Sequence, residues 1–567
     1  MRARAALSTA ATLLALAPAA HAADPIMPTS QVRSGMRCKA YTVVRGTEIA
    51  SFDVEVLDVV QDPSIGPRIL VRVSGPAVDE TGVAAGFSGS PVYCPDDQGT
   101  QRNAGAISEI TGDYGNKVAL ATPIEEMLRE PAVPATGPRP RQVAGRRARS
   151  LAGPLTVAGL SRPLERALAS TARRGGRFVI ASPRAPTLHA AAQPLRPGSS
   201  VAVGLSSGDL WIGAVGTVTY TDGDTVWLFG HPLDAAGRRS LFLQDAYVHT
   251  VIANPNPEIG SYKLGSAGAD VGTATNDAFS AVVGRVGPLP PRTDVEVSAR
   301  DLGSDRVVRT SVLAADESAL DVPAGFSALS FVAPLAVADA SARALSSIPA
   351  RSSGSMCARI ALAARSTPLR FCNRYVVQHG GGIGGPVADD LARAVALIDE
   401  AEFAPLAVDR VEADLTVRRA GAQAYVVGAS LPRRVRAGSR VPVSLRTRVV
   451  RGSPRRFDFR LSVPAGLRPG TYTLRLEGTE PDDGDLLGGA VEDILILQEE
   501  GFFGDEGEAS PPRSFDELES RFAKIRRYDG VRARFTRSGS KGKLLRAFRD
   551  PDLRIGGTLK LRVVVTR

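Results

Sequence analysis

The chain has 567 residues, 43% of them hydrophobic and 23% charged, with a formal net charge of +10. That length exceeds what one hydrophobic core supports, and that apolar share excludes a chain disordered throughout. Aromatic residues make up only 5%, and part of the basic excess gathers between Arg139 and Arg174 without a recognisable module, so a nucleic-acid partner is not expected.

Residues 1–22 have the form of a secretory signal peptide. Arg2 and Arg4 precede a short apolar run from Leu7 to Ala17, and Ala20-His21-Ala22 fits a small-x-small cleavage site. No later stretch reads as apolar enough to span a bilayer. The expected location is therefore secreted or periplasmic, in a bacterial cell envelope, with no stable membrane anchor after cleavage. Four cysteines fit that compartment. They allow three pairings, and proximity favours Cys38 with Cys94 and Cys357 with Cys372. The absence of Cys-x-x-Cys spacing argues against a metal site, and no cofactor is expected.

Valine-rich alternating runs outnumber helical ones, which predicts a mainly β protein. In a first unit, 23–130, Thr47 to Val56 alternates apolar and polar residues and Arg68 to Val73 forms a second strand. Thr122-Pro123-Ile124-Glu125 resembles a capping box opening a short helix. Residues 131–197 are rich in Pro, Arg and Ala and read largely as linker, with room for a helix near Leu164 and a strand at Arg177–Ile180. A second unit, 198–345, contains a hairpin about Asp222-Gly223 that runs straight into Gly230-His231. Residues 346–404 read as a hairpin, a glycine loop and a helix; 405–500 as a β-sandwich; 501–567 as an acidic loop and C-terminal segment.

Two glycine- or acid-rich features do not support ligands. Gly380 to Gly385 contains a Gly-x-Gly-x-x-Gly-like pattern but does not close a βαβ unit with an acidic partner. Asp482, Asp483 and Asp485 lack the full spacing of a calcium loop.

Gly86-Phe87-Ser88-Gly89-Ser90-Pro91 sets a serine between two glycines on a tight turn. A nucleophilic serine needs such a turn if backbone N–H groups are to converge on an attacked carbonyl oxygen. Ser88 has no local base. Of the five histidines, His231 in Phe229-Gly230-His231-Pro232 is the best placed to project into a cleft. His21 leaves with the signal, and His189, His249 and His379 occupy less suitable positions.

The serine segment looks like that of chymotrypsin-like proteases. More closely, it resembles the SpoIVB peptidase family, named for stage IV sporulation protein B, whose motif reads Gly-Met-Ser-Gly-Ser-Pro. The similarity extends through Glu48 to Val56, Thr81-Gly82 and Thr122 to Leu128, and through Gly216 to Tyr220 with Phe229 to Pro232. The resemblance implies a chymotrypsin-like double β-barrel built from two separated halves, followed by the C-terminal sandwich. It implies a serine endopeptidase acting on protein or peptide substrates, with Ser88 as nucleophile and His231 as base. The N–H groups of Gly86 and Ser88 would form the oxyanion hole. Two departures stand out. The histidine half follows the serine half here, whereas it precedes it in the sporulation protein, and no PDZ-like domain precedes the serine half. The family's acid upstream of the serine has no carboxylate at Ser74-Gly75-Pro76. Asp79 lies nearby, and Asp277, ahead of Val282-Val283-Gly284, is the preferred third member. The rival expectation is a non-catalytic envelope scaffold that keeps the peptidase fold as a protein-binding module.

Overall fold

The computed structural model describes residues 23–62, 66–112, 115–134, 154–186, 191–256, 259–320, 327–496, 510–537 and 542–567. The signal-peptide reading on residues 1–22 lies outside them.

The first unit is a closed six-stranded barrel. Its strands are β1 (Arg37–Arg45), β2 (Glu48–Asp62), β3 (Gly66–Ser74), β4 (Pro91–Pro95), β5 (Gln101–Ile110) and β6 (Val118–Pro123). They pair in the order β1-β2-β3-β6-β5-β4, and β4 returns to β1 through Lys39↔Tyr93 and Ala40↔Val92. Alternation decides which side faces in. Phe52, Val54 and Val56 are buried while Ser51, Asp53 and Glu55 are exposed. Ile69, Val71, Val73 and the side chain of Phe87 complete the core. The Cys38–Cys94 disulfide ties β1 to β4 where the barrel closes.

The short helix α1 (Ile124–Leu128) follows β6, but Thr122 does not cap it. Its hydroxyl instead donates to the Gly230 carbonyl at 2.6 Å, reaching across to the histidine turn. The expected capping box is thus replaced by a tertiary contact.

Residues 155–182, within the expected linker, form regular structure. Strand β7 (Leu155–Ala158), helix α2 (Arg162–Arg174) and strand β8 (Val179–Ser182) make a parallel βαβ unit, with Leu164, Leu168 and Ala172 buried along the helix. It extends a sheet built from β9 (Ser200–Gly204), β11 (Trp211–Asp222), β12 (Thr225–Leu228), β13 (Gly237–Ile252), β14 (Tyr262–Asp277) and β15 (Val282–Val286), while β10 (Ser206–Gly208) leaves for another sheet. The order is β12-β15-β14-β13-β9-β11-β7-β8, and β12 also pairs with β11. Six of these strands therefore pair in a continuous ring. The Asp222-Gly223 hairpin forms as expected, with Asp222 opposite Thr225.

The expected boundaries at 345 and 405 fall within one structural unit. Strands β16 (Arg292–Asp301), β17 (Val307–Ala315), β18 (Ser352–Leu362), β19 (Leu369–Val377) and β20 (Val408–Arg418) join β10 in the order β10-β17-β16-β20-β18-β19. Helices α3 (Ala328–Leu345) and α4 (Gly384–Asp399) share a core with this sheet. Cys357 and Cys372 face each other across β18 and β19 and are bridged. Helix α3 is long and apolar enough to cross a membrane, contrary to the expectation from the sequence, yet 89% of it is buried inside the protein.

The sandwich also differs in extent from the expected 405–500. A four-stranded and a five-stranded sheet share one core, and the second sheet is completed by Val531–Thr536 and Thr558–Thr566 from the C-terminal end. Asp482 accepts from Arg527 and Arg554. With Asp529 and Arg374 these residues form a buried ionic network linking β19 to the sandwich.

Both disulfides fit an oxidising, extracytoplasmic compartment.

Candidate functional site

The serine turn joins β3 to β4 and is fixed from two sides. On the barrel side, Gly89 N–H donates to the Ile107 carbonyl at 2.8 Å and Ile107 N–H to the Ser90 carbonyl at 3.0 Å. Within the turn, the Ser90 hydroxyl and N–H both donate to the Phe87 carbonyl, at 2.6 and 2.9 Å. From the ring, Thr217 N–H donates to the Ser88 carbonyl at 2.9 Å, Thr217 Oγ1 to the Gly86 carbonyl at 3.1 Å, and Thr219 Oγ1 to the Gly89 carbonyl at 2.8 Å. Gly86 and Gly89 adopt φ of +93° and +89°, the left-handed region that explains their identity. The N–H groups of Gly86 and Ser88 donate to no described residue.

The histidine turn abuts the same strand. Phe229 N–H donates to the Thr217 carbonyl at 3.3 Å, so Thr217 contacts both turns. Phe229 itself has φ of +67°, costly for an aromatic residue, and Gly230 follows at +71°. The Phe229 ring lies so close to Gly216 that a β-carbon there would sit 2.1 Å from it. Its other neighbour is the His231 imidazole, stacked at 5.9 Å.

His231 is 4% exposed, and Ser88 7%. The imidazole Nδ1 lies 2.7 Å from the Pro232 carbonyl oxygen, which can only accept, so Nδ1 carries the hydrogen. Nε2 is then an unprotonated acceptor. It is buried and has no hydrogen-bond partner. Burial pushes the imidazole down to about 4, the Pro232 contact opposing this and the Arg68 guanidinium adding to it. His231 is therefore neutral at pH 7. No hydrogen bond joins it to Ser88.

The expected third member takes a different role. Asp277 does not bond the imidazole. Its Oδ1 accepts Leu233 N–H at 2.7 Å, and its Oδ2 accepts Asp234 and Ala236 N–H at 2.8 and 3.1 Å. Burial pushes its carboxyl above the ordinary value, against the pull of these three donors. Asp277 thus braces the segment that directly follows His231-Pro232, while Pro232 O holds the tautomer. Asp79 accepts from Gly75 N–H at 3.0 Å and lies near the Lys117 ammonium, at 3.5 Å. His249 is bonded to the Pro183 carbonyl, and His379 is exposed ahead of the glycine loop.

Three residues at this junction have no signal in the sequence reading. Thr217 lies within the Gly216–Tyr220 match and has there the local pattern of an ordinary strand residue. Arg68, fully buried on β3, bears on His231 only through folding. Lys263 on β14 lies wholly buried against Gly86 and Phe87 in a short stretch that reads as ordinary strand. A cavity of about 580 Å³ is lined by Asp301, Gly303, Ser304, Arg306, Ser346 and Arg419, with no residue from either turn. Comparison with protein-family models, with characterised proteins and with solved structures gives no match.

Proposed function

We propose that the chain is an exported serine endopeptidase of the SpoIVB type, its barrel and six-strand ring acting as the two halves of a chymotrypsin-like double barrel. The observation that carries the reading is the contact of His231 Nδ1 with the Pro232 carbonyl oxygen at 2.7 Å. With Nδ1–H held by the Pro232 carbonyl, Nε2 presents a lone pair, as a general base requires. The serine turn is its neighbour through Thr217, and the N–H groups of Gly86 and Ser88 remain available to a developing oxyanion.

The proposed reaction requires a movement that brings Nε2 into hydrogen-bond reach of Ser88 Oγ, since no hydrogen bond joins them in the structure. The oxygen attacks the peptide carbonyl carbon as its proton passes to Nε2. The carbonyl electron pair moves onto oxygen, facing the two N–H groups. Collapse expels the amine, which takes the proton from the imidazolium, and leaves an acyl-enzyme. Water, deprotonated by His231, then releases the acid and restores Ser88. Because burial makes the imidazole a weak base, the charge arising in the transition state must supply the driving force for transfer.

Burial of both side chains, with Asp277 engaged away from the imidazole, favours one alternative: a scaffold that keeps the fold without the chemistry. A fluorophosphonate probe separates the two. Covalent labelling of wild type, lost in Ser88→Ala and in His231→Ala, supports the peptidase. An unlabelled, folded wild type establishes the scaffold.

A further inference from the structure

We propose that Lys263 is a positioning residue for the serine turn, holding the Gly86–Phe87–Ser88 backbone in place through Thr217. The inference rests on the peptidase reading for its catalytic consequence, but not for the positioning itself.

The lysine is tied to the turn at both ends. Its backbone N–H donates to the Ala85 carbonyl at 2.8 Å, and Ala85 N–H donates to the Ser261 carbonyl, also at 2.8 Å. Its stem forms the floor beneath Gly86. A β-carbon on that glycine would meet Lys263 Cδ, Cβ and Cγ at 3.0–3.1 Å. The amine lies 5.1 Å from the centre of the Phe87 ring. Nζ then reaches three hydroxyls: Thr42 Oγ1 at 2.7 Å, Thr217 Oγ1 at 3.2 Å and Ser200 Oγ at 3.4 Å.

Hydrogen-bond bookkeeping gives these contacts a direction. Thr217 spends its only hydroxyl hydrogen on the Gly86 carbonyl, so it must accept from Lys263. With the Thr42 hydroxyl, which is also 3.2 Å from Thr217 Oγ1 and is itself held by Nζ, the lysine fixes the hydroxyl rotor that fixes the Gly86 carbonyl. The orientation of that peptide helps set where the Gly86 and Ser88 N–H groups point. Thr217 also bonds the Ser88 carbonyl and receives Phe229 N–H, so one anchored threonine couples both turns.

A buried amine is a costly way to anchor a threonine. Burial alone pushes Lys263 down to about 7, and its neighbours from β1, β9, β11 and the serine turn are neutral hydroxyls and an aromatic ring. No carboxylate among the described residues bonds it. A methionine would fill the same space more cheaply. A hydrogen-bonding amine that reaches several hydroxyls at once is what methionine lacks.

The test compares full-length wild type with Lys263→Met and, as a second route to the same relay, Thr217→Val. Amide hydrogen exchange at Phe87, Gly89, Ser90 and Thr217 reads positioning without any catalysis. Fluorophosphonate labelling reads its consequence. Loss of the relay should speed exchange at these amides by about tenfold and slow maximal labelling by about tenfold, while the half-saturating probe concentration stays within about twofold. The double variant should be no worse than either single one. Unchanged exchange in a folded Lys263→Met protein overturns the proposal, and so do additive effects in the double variant. A wild type that never labels refutes the peptidase reading instead, and the exchange comparison still decides the role of Lys263.

Discussion

Gly89 and Thr217 approach so closely that a β-carbon on the glycine would lie 2.0 Å from the threonine carbonyl oxygen and 2.6 Å from Phe229 N. Three pieces of backbone meet there: the serine turn, β11 and the start of the histidine turn. The glycine is required twice, by its φ of +89° and by this contact with rigid main chain. Gly89→Ala should therefore destabilise the protein by on the order of 3 kcal/mol, read from the urea midpoint. Gly223→Ala, at φ +58° with open space around it, provides the control. It carries backbone strain alone and should cost about 1 kcal/mol. Equal losses in the two variants would show that the close approach contributes nothing.

Asp277 gives a second prediction, because the two roles considered for it make opposite claims. A residue that only orients an imidazole can become asparagine with little effect on folding. A carboxylate accepting three backbone N–H groups cannot, since the amide nitrogen would confront donors it cannot accept from. Asp277→Asn should lower unfolding stability by about 1–3 kcal/mol. Any loss of serine labelling should then follow from disorder in the Leu233–Ala236 segment. Full stability combined with abolished labelling would restore Asp277 to the imidazole.

Legibility in the sequence followed the range of the interactions. Alternation at Ser51–Val56 predicted which β2 residues enter the barrel, because a strand's two faces are a local property. Asp222-Gly223 announced its hairpin for the same reason. Cys38 and Cys94 were paired by proximity, and the barrel closes at that point. What escaped was set by distant partners. Thr122 had the local form of a helix cap, but a glycine carbonyl 108 residues away takes its hydroxyl. Within Leu155–Ser182 the helix near Leu164 and the strand near Ile180 were legible, whereas the sheet edge they extend was not. Ser88 and His231 were legible as turns, whereas the lysine and threonine between them were not. A buried amine in Tyr262-Lys263-Leu264 has the same local pattern as a solvated one.

Two titrating groups in this junction should leave opposite traces to those of ordinary salt bridges. Lys263 titrates near 7 in the folded chain and from 10.5 as its ordinary value. Between these limits the unfolded chain holds the extra proton, so stability rises with pH from about 7 to about 10.5. The full span corresponds to on the order of 5 kcal/mol. His231, at about 4 against 6.5, contributes a rise between those values, on the order of 3 kcal/mol. Asp399 works against the histidine. Burial lifts it from 3.8 to about 7, so stability from that group declines as pH climbs through the same interval. Other buried carboxyls, Asp277 and Asp339 among them, are also raised by burial, while hydrogen bonds lower Glu125, so only differences between proteins isolate each group. Wild type minus Lys263→Met should gain stability from pH 7 to 10, measured by urea unfolding at each pH. A difference curve without slope there would mean the amine is hydrated and titrates normally.

The two disulfides should contribute unequally. Cys38–Cys94 closes a loop of 56 residues and Cys357–Cys372 one of 15. On the chain-entropy model the first restricts the unfolded chain by about 4 kcal/mol and the second by about 3 kcal/mol. Position widens the gap. Cys38–Cys94 clasps β1 to β4, which are otherwise paired at only two residue positions. Cys357–Cys372 lies within a hairpin already paired from Ser352↔Val377 to Ile360↔Leu369. Replacing the first pair by serine should therefore open the barrel seam and, through Gly89 and Ile107, loosen the serine turn. Replacing the second should lower the melting temperature of the six-stranded sheet and leave exchange at Gly89 unaltered. Equal protection at Gly89 in both double-serine variants would show that the β1–β4 seam holds without its covalent clasp.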